Sequence, residues 1–235
     1  MEQNAVPRDS ATIILLRDRP GGSYEVFLMR RHQGQAFMGG AHVFPGGSLA
    51  PGDSDPSLAV GFSGAEARRL LQEPGLREST ALGLFLAAIR ETFEEAGVLI
   101  ARDRAGKPID LADPARAARF ADYRRELPEE RLTLALLAER EGIAYAPDLL
   151  VPYSHWITPT IEPRRFDTRF FLARLPEGQV AVHDSRELTQ SCWLAPADAL
   201  REHAAGRIVL MPPTLTTVEE LTAFSEIDRL VAAAR

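Results

Sequence analysis

Glu91, Glu94 and Glu95 fall in the run Arg90-Glu91-Thr92-Phe93-Glu94-Glu95-Ala96-Gly97-Val98. On a helix, at roughly 100° per residue, the three carboxylates share about 100° of arc. Leu82, Leu86, Ile89 and Phe93 gather on the opposite side. The spacings i,i+3 and i,i+4 set like charges against each other. All three glutamates also sit in the last two turns, where the helix dipole disfavours anions. Two readings follow from geometry alone. One is a solvated acidic face, the commoner origin of a charge run. The other is a cation site, for which clustered hard oxygens suit Mg²⁺ or Mn²⁺ rather than zinc.

These carboxylates need elements to hold them. The spacing predicts a helix over Thr80 to Gly97, with Ser79 or Thr80 as cap and Gly97 as terminator. Ahead of it, Ala11 to Leu16 and Tyr24 to Met29 read as strands joined through the turn composition of Arg17 to Gly22. A glycine-dense stretch from Gly34 to Gly52 contains Phe44-Pro45-Gly46-Gly47, where Gly46 and Gly47 point to close backbone approach or positive φ. Ala65 to Gln72 reads as a short helix. From Asp103 to Pro147 the chain reads as a helical insertion, with helices over Pro114 to Leu127 and Glu129 to Glu141. Strands resume at Ser154 to Thr158, Phe166 to Arg174 and Gln190 to Leu194. Helices over Pro196 to Ala205 and Val218 to Ala234 close the chain. Strands interrupted by helices define an α/β class.

Composition narrows the function. With 27 Lys plus Arg against 33 Asp plus Glu, the 235-residue chain carries a formal charge of −6, which disfavours a nucleic-acid binder. A polyanionic small substrate then needs local arginines or a metal ion. One cysteine excludes an internal disulfide and a Cys-rich zinc site. No apolar run approaches the ~18 residues of a membrane span, and the first ten residues lack the apolar stretch of a secretory signal. The expectation is one cytoplasmic domain over residues 1–235, acting on a small molecule, with neither nucleic acid nor membrane as partner. A homodimer is the base-rate expectation.

Arg90, Glu91, Glu94, Glu95, Gly97 and Val98 fit R-E-U-x-E-E-x-G-U, the second half of the Nudix box, with Thr92 at an aliphatic position. The sequence therefore resembles the Nudix hydrolase family. The opening G-x5-E piece matches Gly47 to Asp53 with Asp for Glu, and 36 residues separate Asp53 from Arg90. The box is thus split by an insertion over about 54–79, expected to emerge beside the site. The runs Arg30 to Gly47, Trp156 to Pro159, Arg165 to Phe171 and Leu210 to Pro213 resemble the acyl-CoA diphosphatases of this family. Ala36 stands where the family's coenzyme A signature has an arginine.

The resemblance implies a Nudix fold, a mixed β-sheet sandwiched between helices, with the box as loop–helix–loop. It implies Mg²⁺ or Mn²⁺ held by Glu91, Glu94 and Glu95, and cleavage of CoA or acyl-CoA to 3′,5′-ADP and (acyl-)4′-phosphopantetheine. ADP-ribose or NADH as substrate, or a non-catalytic binding role, are the competing readings. Arg90 is expected to pair with a carboxylate and hold it, an ordinary structural ion pair being the alternative. The chain also departs from the pattern at Asp53, whose short side chain argues against a ligand role. Glu187, ahead of the strand ending in Trp193-Leu194, is the candidate general base. Arg30, Arg31 and Arg165 are candidates for binding substrate, with Gly46 and Gly47 shaping the phosphate loop. His32, His42, His155 and Cys192 are read as structural.

Overall fold

The structure, a computed structural model, describes residues 5–34, 39–184 and 188–235. Among them, seven strands form one mixed sheet. β1 (Arg8–Arg19) and β2 (Ser23–Arg31) make the expected hairpin, paired down to Arg19 against Ser23. Its tight end is possible because Gly21 and Gly22 both adopt positive φ. The strands overrun the predicted turn because Arg17 and Asp18 pair across to Glu25 and Tyr24.

Four strands of two or three residues were too short to show in the sequence. β3 (His42–Val43) pairs with β2, and β4 (Gly46–Ser48) pairs with β1. α1 (Gly64–Leu71) and α2 (Glu78–Ala96) follow. β5 (Ala101–Arg102) then leads into α3 (Pro114–Glu126) and α4 (Leu134–Glu141), and β6 (Ala144–Tyr145) pairs back with β5. The second insertion is thus clasped at its base by a two-stranded ribbon, close to the predicted bounds of 103 and 147. β7 (Val151–Ile157) and β8 (Phe166–Arg174) form an antiparallel pair, and β8 lies parallel to β1 from Arg8↔Phe166 to Leu16↔Arg174. β9 (Leu188–Leu194) covers the outer side of β2. α5 (Pro196–Ala204), α6 (Pro212–Leu221) and α7 (Ile227–Ala234) end the chain.

Strand alternation sends side chains to two cores. Ile13, Leu15, Phe27 and Met29 pack under α2 with Phe85, Leu86 and Ile89. Ile14, Leu16, Val26 and Leu28 pack on the other face against Val218, Leu221 and Leu230. The sheet therefore lies between two helical layers, as the resemblance implies.

Four local expectations need correction. α2 is not amphipathic over its first half: every residue from Thr80 to Ile89 is buried, because α1 and the turns after β4 cover the side away from the sheet. Its N-cap is Arg77, with no side-chain cap, rather than Ser79 or Thr80. The second insertion helix starts at Leu134 rather than Glu129, since Glu130 takes positive φ and Thr133 caps Leu136. Finally, Val218 to Ala234 is not one helix. α6 stops at Leu221, and residues 222–226 turn before α7. The apolar spacing Leu221, Phe224, Ile227, Leu230 stays helical through that turn, so periodicity cannot reveal the break.

Candidate active site

The loop from β3 into β4 delivers Gly46 and Gly47 to the sheet and to α2 at once. A Cβ on Gly46 would lie 2.5 Å from the Ala11 carbonyl oxygen, and one on Gly47 would lie 2.3 Å from Glu91 Oε1. Close approach, not positive φ, is why both positions are glycine. The Gly46 N–H donates to Glu95 Oε2 at 2.8 Å. The loop thereby orients one glutamate and leaves the space occupied by another.

Arg90 ties the two halves of the split box together. Its Nε and Nη2 donate to Asp53 Oδ1 and Oδ2 at 2.9 and 3.0 Å, the bidentate geometry that suits a guanidinium. Nη2 also donates to the Ser48 carbonyl at 2.9 Å, and Nη1 reaches Glu91 Oε1 at 2.8 Å and Glu94 Oε1 at 3.3 Å. Burial opposes the charge on Arg90, but Asp53, Glu91 and Glu94 outweigh it and hold its pKa above the ordinary arginine value. Asp53 is 1% exposed and also accepts the Ala50 N–H at 2.8 Å. Its oxygens serve this anchor, so the shortened side chain at the box's acidic position is a brace for Arg90. Burial pushes the Glu91 carboxyl up to about 7, with Arg90 pulling it down and Glu94 pushing it further up. Thr92, the misfit in the box, is fully buried and returns its hydroxyl to the Ala88 carbonyl at 2.8 Å. A polar residue is tolerated there because the helix itself satisfies it.

Arg124, on α3, had no sequence signature. Its Nε donates to the Glu94 carbonyl at 2.8 Å, and its Nη2 to the carbonyls of Glu95 at 2.7 Å and Val182 at 2.8 Å. Four arginines populate that helix, and nothing in their spacing marks this one. Phe120 against Phe93, ring centroids 6.3 Å apart, docks α3 onto α2 and aims Arg124.

The remaining candidates are placed as follows. Arg31 falls on the same face of β2 as Phe27 and Met29, the face that carries α2, and its Nε is buried without a hydrogen-bond partner among the described residues. Arg30 pairs across β2 and β3 with His42. Burial, reinforced by Arg30, lowers the His42 pKa to about 4, so this histidine stays neutral, as its structural reading requires. Arg165 donates to the carbonyls of Thr158 and Ala5, both at 2.9 Å. Glu187 and Ala36 lie outside the described residues. A cleft of about 410 Å³ opens beside β9, lined by His42, His183, Gln190, Ser191, Cys192 and Ile208. His183 directly follows Val182, whose N–H donates to the Ala96 carbonyl at the end of α2. The cleft therefore adjoins the glutamate end of the helix.

Among the described residues no three His, Cys, Asp or Glu side chains are drawn into a ready-made metal cage. The donor chemistry still fits a hard divalent cation. Glu91, Glu94 and Glu95 offer carboxylate oxygens from one helix face, and Gly47 keeps that space clear of any side chain of its own.

Residues 72–221 match the family described as the NUDT19 Nudix domain. The acyl-coenzyme A diphosphatase NUDT19 of Homo sapiens is 30% identical over 247 positions, which cover 91% of this chain and 64% of the human protein. The protein of the same name from Gallus gallus is 28% identical, with 95% and 70% covered. This chain thus spans a little under two thirds of the human relative's length. Among solved structures, a NUDIX hydrolase from Alicyclobacillus acidocaldarius superposes with a TM-score of 0.77 at 26% identity, covering 97% of this chain and 96% of that one. Since the matched family takes in well over half of the chain, including the helix that bears the three glutamates, this chain belongs to the Nudix hydrolase family, in its NUDT19 branch.

Proposed function

We propose that the chain is a divalent-metal-dependent diphosphatase that cleaves CoA or acyl-CoA to 3′,5′-ADP and (acyl-)4′-phosphopantetheine. The observation that carries this reading is the meeting of Glu91, Glu94 and Glu95 with the Gly46–Gly47 loop, held by the Arg90–Asp53 brace. In the reaction, water oxygen bonds to one phosphorus, the bridging P–O bond breaks, and the water proton is released. A Mg²⁺ or Mn²⁺ ion on the glutamates supplies charge neutralisation and a more acidic water. Arg31, whose buried Nε has no partner among the described residues, is the candidate to bind the phosphates, and the cleft at His42 and His183 is the candidate nucleoside site. Glu187 remains the candidate base.

The names of the relatives favour CoA thioesters over ADP-ribose or NADH. The complete glutamate set favours turnover over silent binding. Purified protein is to be incubated with CoA, a medium-chain acyl-CoA, ADP-ribose and NADH, each with Mg²⁺ or Mn²⁺, and the nucleotide products separated. The expected result is 3′,5′-ADP from the CoA substrates, with kcat/KM at least about tenfold above the dinucleotides, or ~1.4 kcal/mol of transition-state preference. Faster release of AMP from ADP-ribose or NADH moves the assignment to that class. No product from any of them removes the enzymatic reading. Glu94→Gln is expected to cut kcat by more than about tenfold while leaving the fold intact.

A further inference from the structure

The last four carbonyls of an α-helix have no partner within it, and each needs one from elsewhere. In α2 those carbonyls belong to Phe93, Glu94, Glu95 and Ala96. The Phe93 oxygen accepts from Gly97 N at 3.0 Å, the backbone's own closure through a left-handed Gly97. The Ala96 oxygen accepts from Val182 N at 2.9 Å. The remaining two are satisfied by a single side chain, since Arg124 takes Glu94 with Nε and Glu95 with Nη2. The same Nη2 holds the Val182 carbonyl. One guanidinium therefore joins the end of the glutamate helix to the segment that lines the cleft through His183.

We propose that Arg124 is a positioning residue for the reaction: by clamping the Glu94 and Glu95 backbones to the Val182 carbonyl, it fixes the last turn of α2 in the geometry its two glutamates need. The inference rests on the proposed metal-carboxylate reading and deepens it. Four features support it. The two carbonyls held are those of two of the candidate ligands, so movement of this turn displaces their side chains directly. A cation at a helix C-terminus is favoured by the helix dipole, and here the carboxylates of Asp184 and Glu95 also favour its charge. The approach is close enough that a Cβ on Gly97 would lie 2.9 Å from Arg124 Nη1. Lysine cannot replicate it, because one ammonium on a flexible stem lacks the rigid planar fork. The second insertion thus acts as a splint for the catalytic helix.

The test compares wild type, Arg124→Gln, Arg124→Lys and Arg125→Gln. Arg125 is exposed, neighbours Arg124 and pairs with Asp122, so its variant removes the same charge without the clamp. Mn²⁺ affinity is measured by calorimetry on the metal-free proteins without substrate. Amide exchange is followed in residues 94–98 and 182–184. Arg124→Gln is expected to weaken Mn²⁺ binding 10–100-fold, the usual cost of losing a group that orients metal ligands. It is also expected to speed exchange in both segments at least about tenfold and to lower kcat with KM nearly unchanged. Arg125→Gln is expected to match wild type. A folded Arg124→Gln with wild-type Mn²⁺ affinity and exchange overturns the proposal. Should that variant not fold, Arg124→Lys decides: weakened Mn²⁺ binding and faster local exchange support the clamp, and wild-type values in both overturn it. Wild-type protein that binds Mn²⁺ yet leaves CoA intact overturns the proposed substrate and leaves the clamp standing.

Discussion

Glu91 is held where burial and charge oppose each other, and the balance has a measurable sign. Its folded pKa, about 7, lies above the ordinary value of 4.5. Between those pH values the metal-free folded state retains a proton that the unfolded chain has released. Stability therefore falls as pH rises through that window. His42, lowered from 6.5 to about 4, acts oppositely over its own window: stability is lost as pH falls from 6.5 towards 4. The two slopes overlap, so urea titrations of wild type alone do not separate them. Glu91→Gln isolates the first, and wild type minus variant is expected to show stability declining from pH 4.5 to 7. A flat difference would mean that Glu91 is ionised at all these pH values. At Asp53 the prediction is structural and catalytic together. Asp53→Ala strands the buried Arg90 fork and is expected to cost about 3–5 kcal/mol in urea unfolding. It is also expected to depress kcat, because Arg90 no longer holds Glu91 and Glu94. Much of this residue-level design was legible in sequence: the shared face of the glutamates and the Gly46–Gly47 approach followed from types and spacing, and the pairing of Arg90 from the family resemblance. Asp53 was legible as a departure, and its use as a brace was not, since only the folded loop shows both oxygens engaged. Arg124 was invisible, because a side chain that caps another element's backbone leaves no periodic mark in its own.

The insertion over 54–79 illustrates what periodicity misses at the scale of elements. It was expected beside the site; its first end follows Asp53, the partner of Arg90, but its second end joins α2 at Glu78, at the opposite end of the helix from Glu91, Glu94 and Glu95. Its middle is core: Leu58, Phe62 and Ala67 are buried, and Phe62 meets Phe85 with ring centroids 5.1 Å apart. Its far end is fastened by Glu73, which accepts from the 4%-exposed Arg169 at 3.0 and 2.6 Å. Asp9 at 3.0 Å and Asp167 at 2.9 Å complete that arginine's partners. Phe62→Ala is accordingly expected to cost about 3–5 kcal/mol. Replacement of the whole insertion by a linker is expected to unfold the domain rather than retune its substrate choice. A stable linker variant with altered substrate ranking would restore the simpler view of a peripheral loop. α2 likewise looked amphipathic in sequence because Glu91, Glu94 and Glu95 of its last turns share one face. The cover over its first turns comes from α1 and the turns after β4, which no pattern within α2 encodes.

For the molecule as a whole, the alternation of strand and helix runs indicated an α/β class, and the resemblance carried by the split box implied a mixed sheet between helices. Strand order was not legible, because parallel pairing of β1 with β8 is a property of distant segments. A divalent ion that binds only the folded state adds about 2.7 kcal/mol at a hundredfold excess over Kd. Thermal unfolding with millimolar Mn²⁺ against EDTA is therefore expected to show a Tm rise of about 5–10 °C, largely lost in Glu95→Gln. An equal Tm in both buffers would separate the glutamates from any metal role. The pairing of β1 with β8 also has a consequence in time. Ser10 and Thr168, joined through their hydroxyls, are 158 residues apart in the chain. At ~5–20 residues per second, a ribosome needs about 8–30 s to supply the second after the first. Throughout that interval β1 has β2 along one side and an open edge on the other, with Ile13 to Leu16 apolar towards both faces. Nascent chains shorter than about 170 residues are thus the aggregation-prone stage in the life of this protein. A fragment ending at Arg165 is expected to pellet when expressed alone, whereas the 235-residue chain, which also carries the helices that cover the second core, is expected to remain largely in the supernatant.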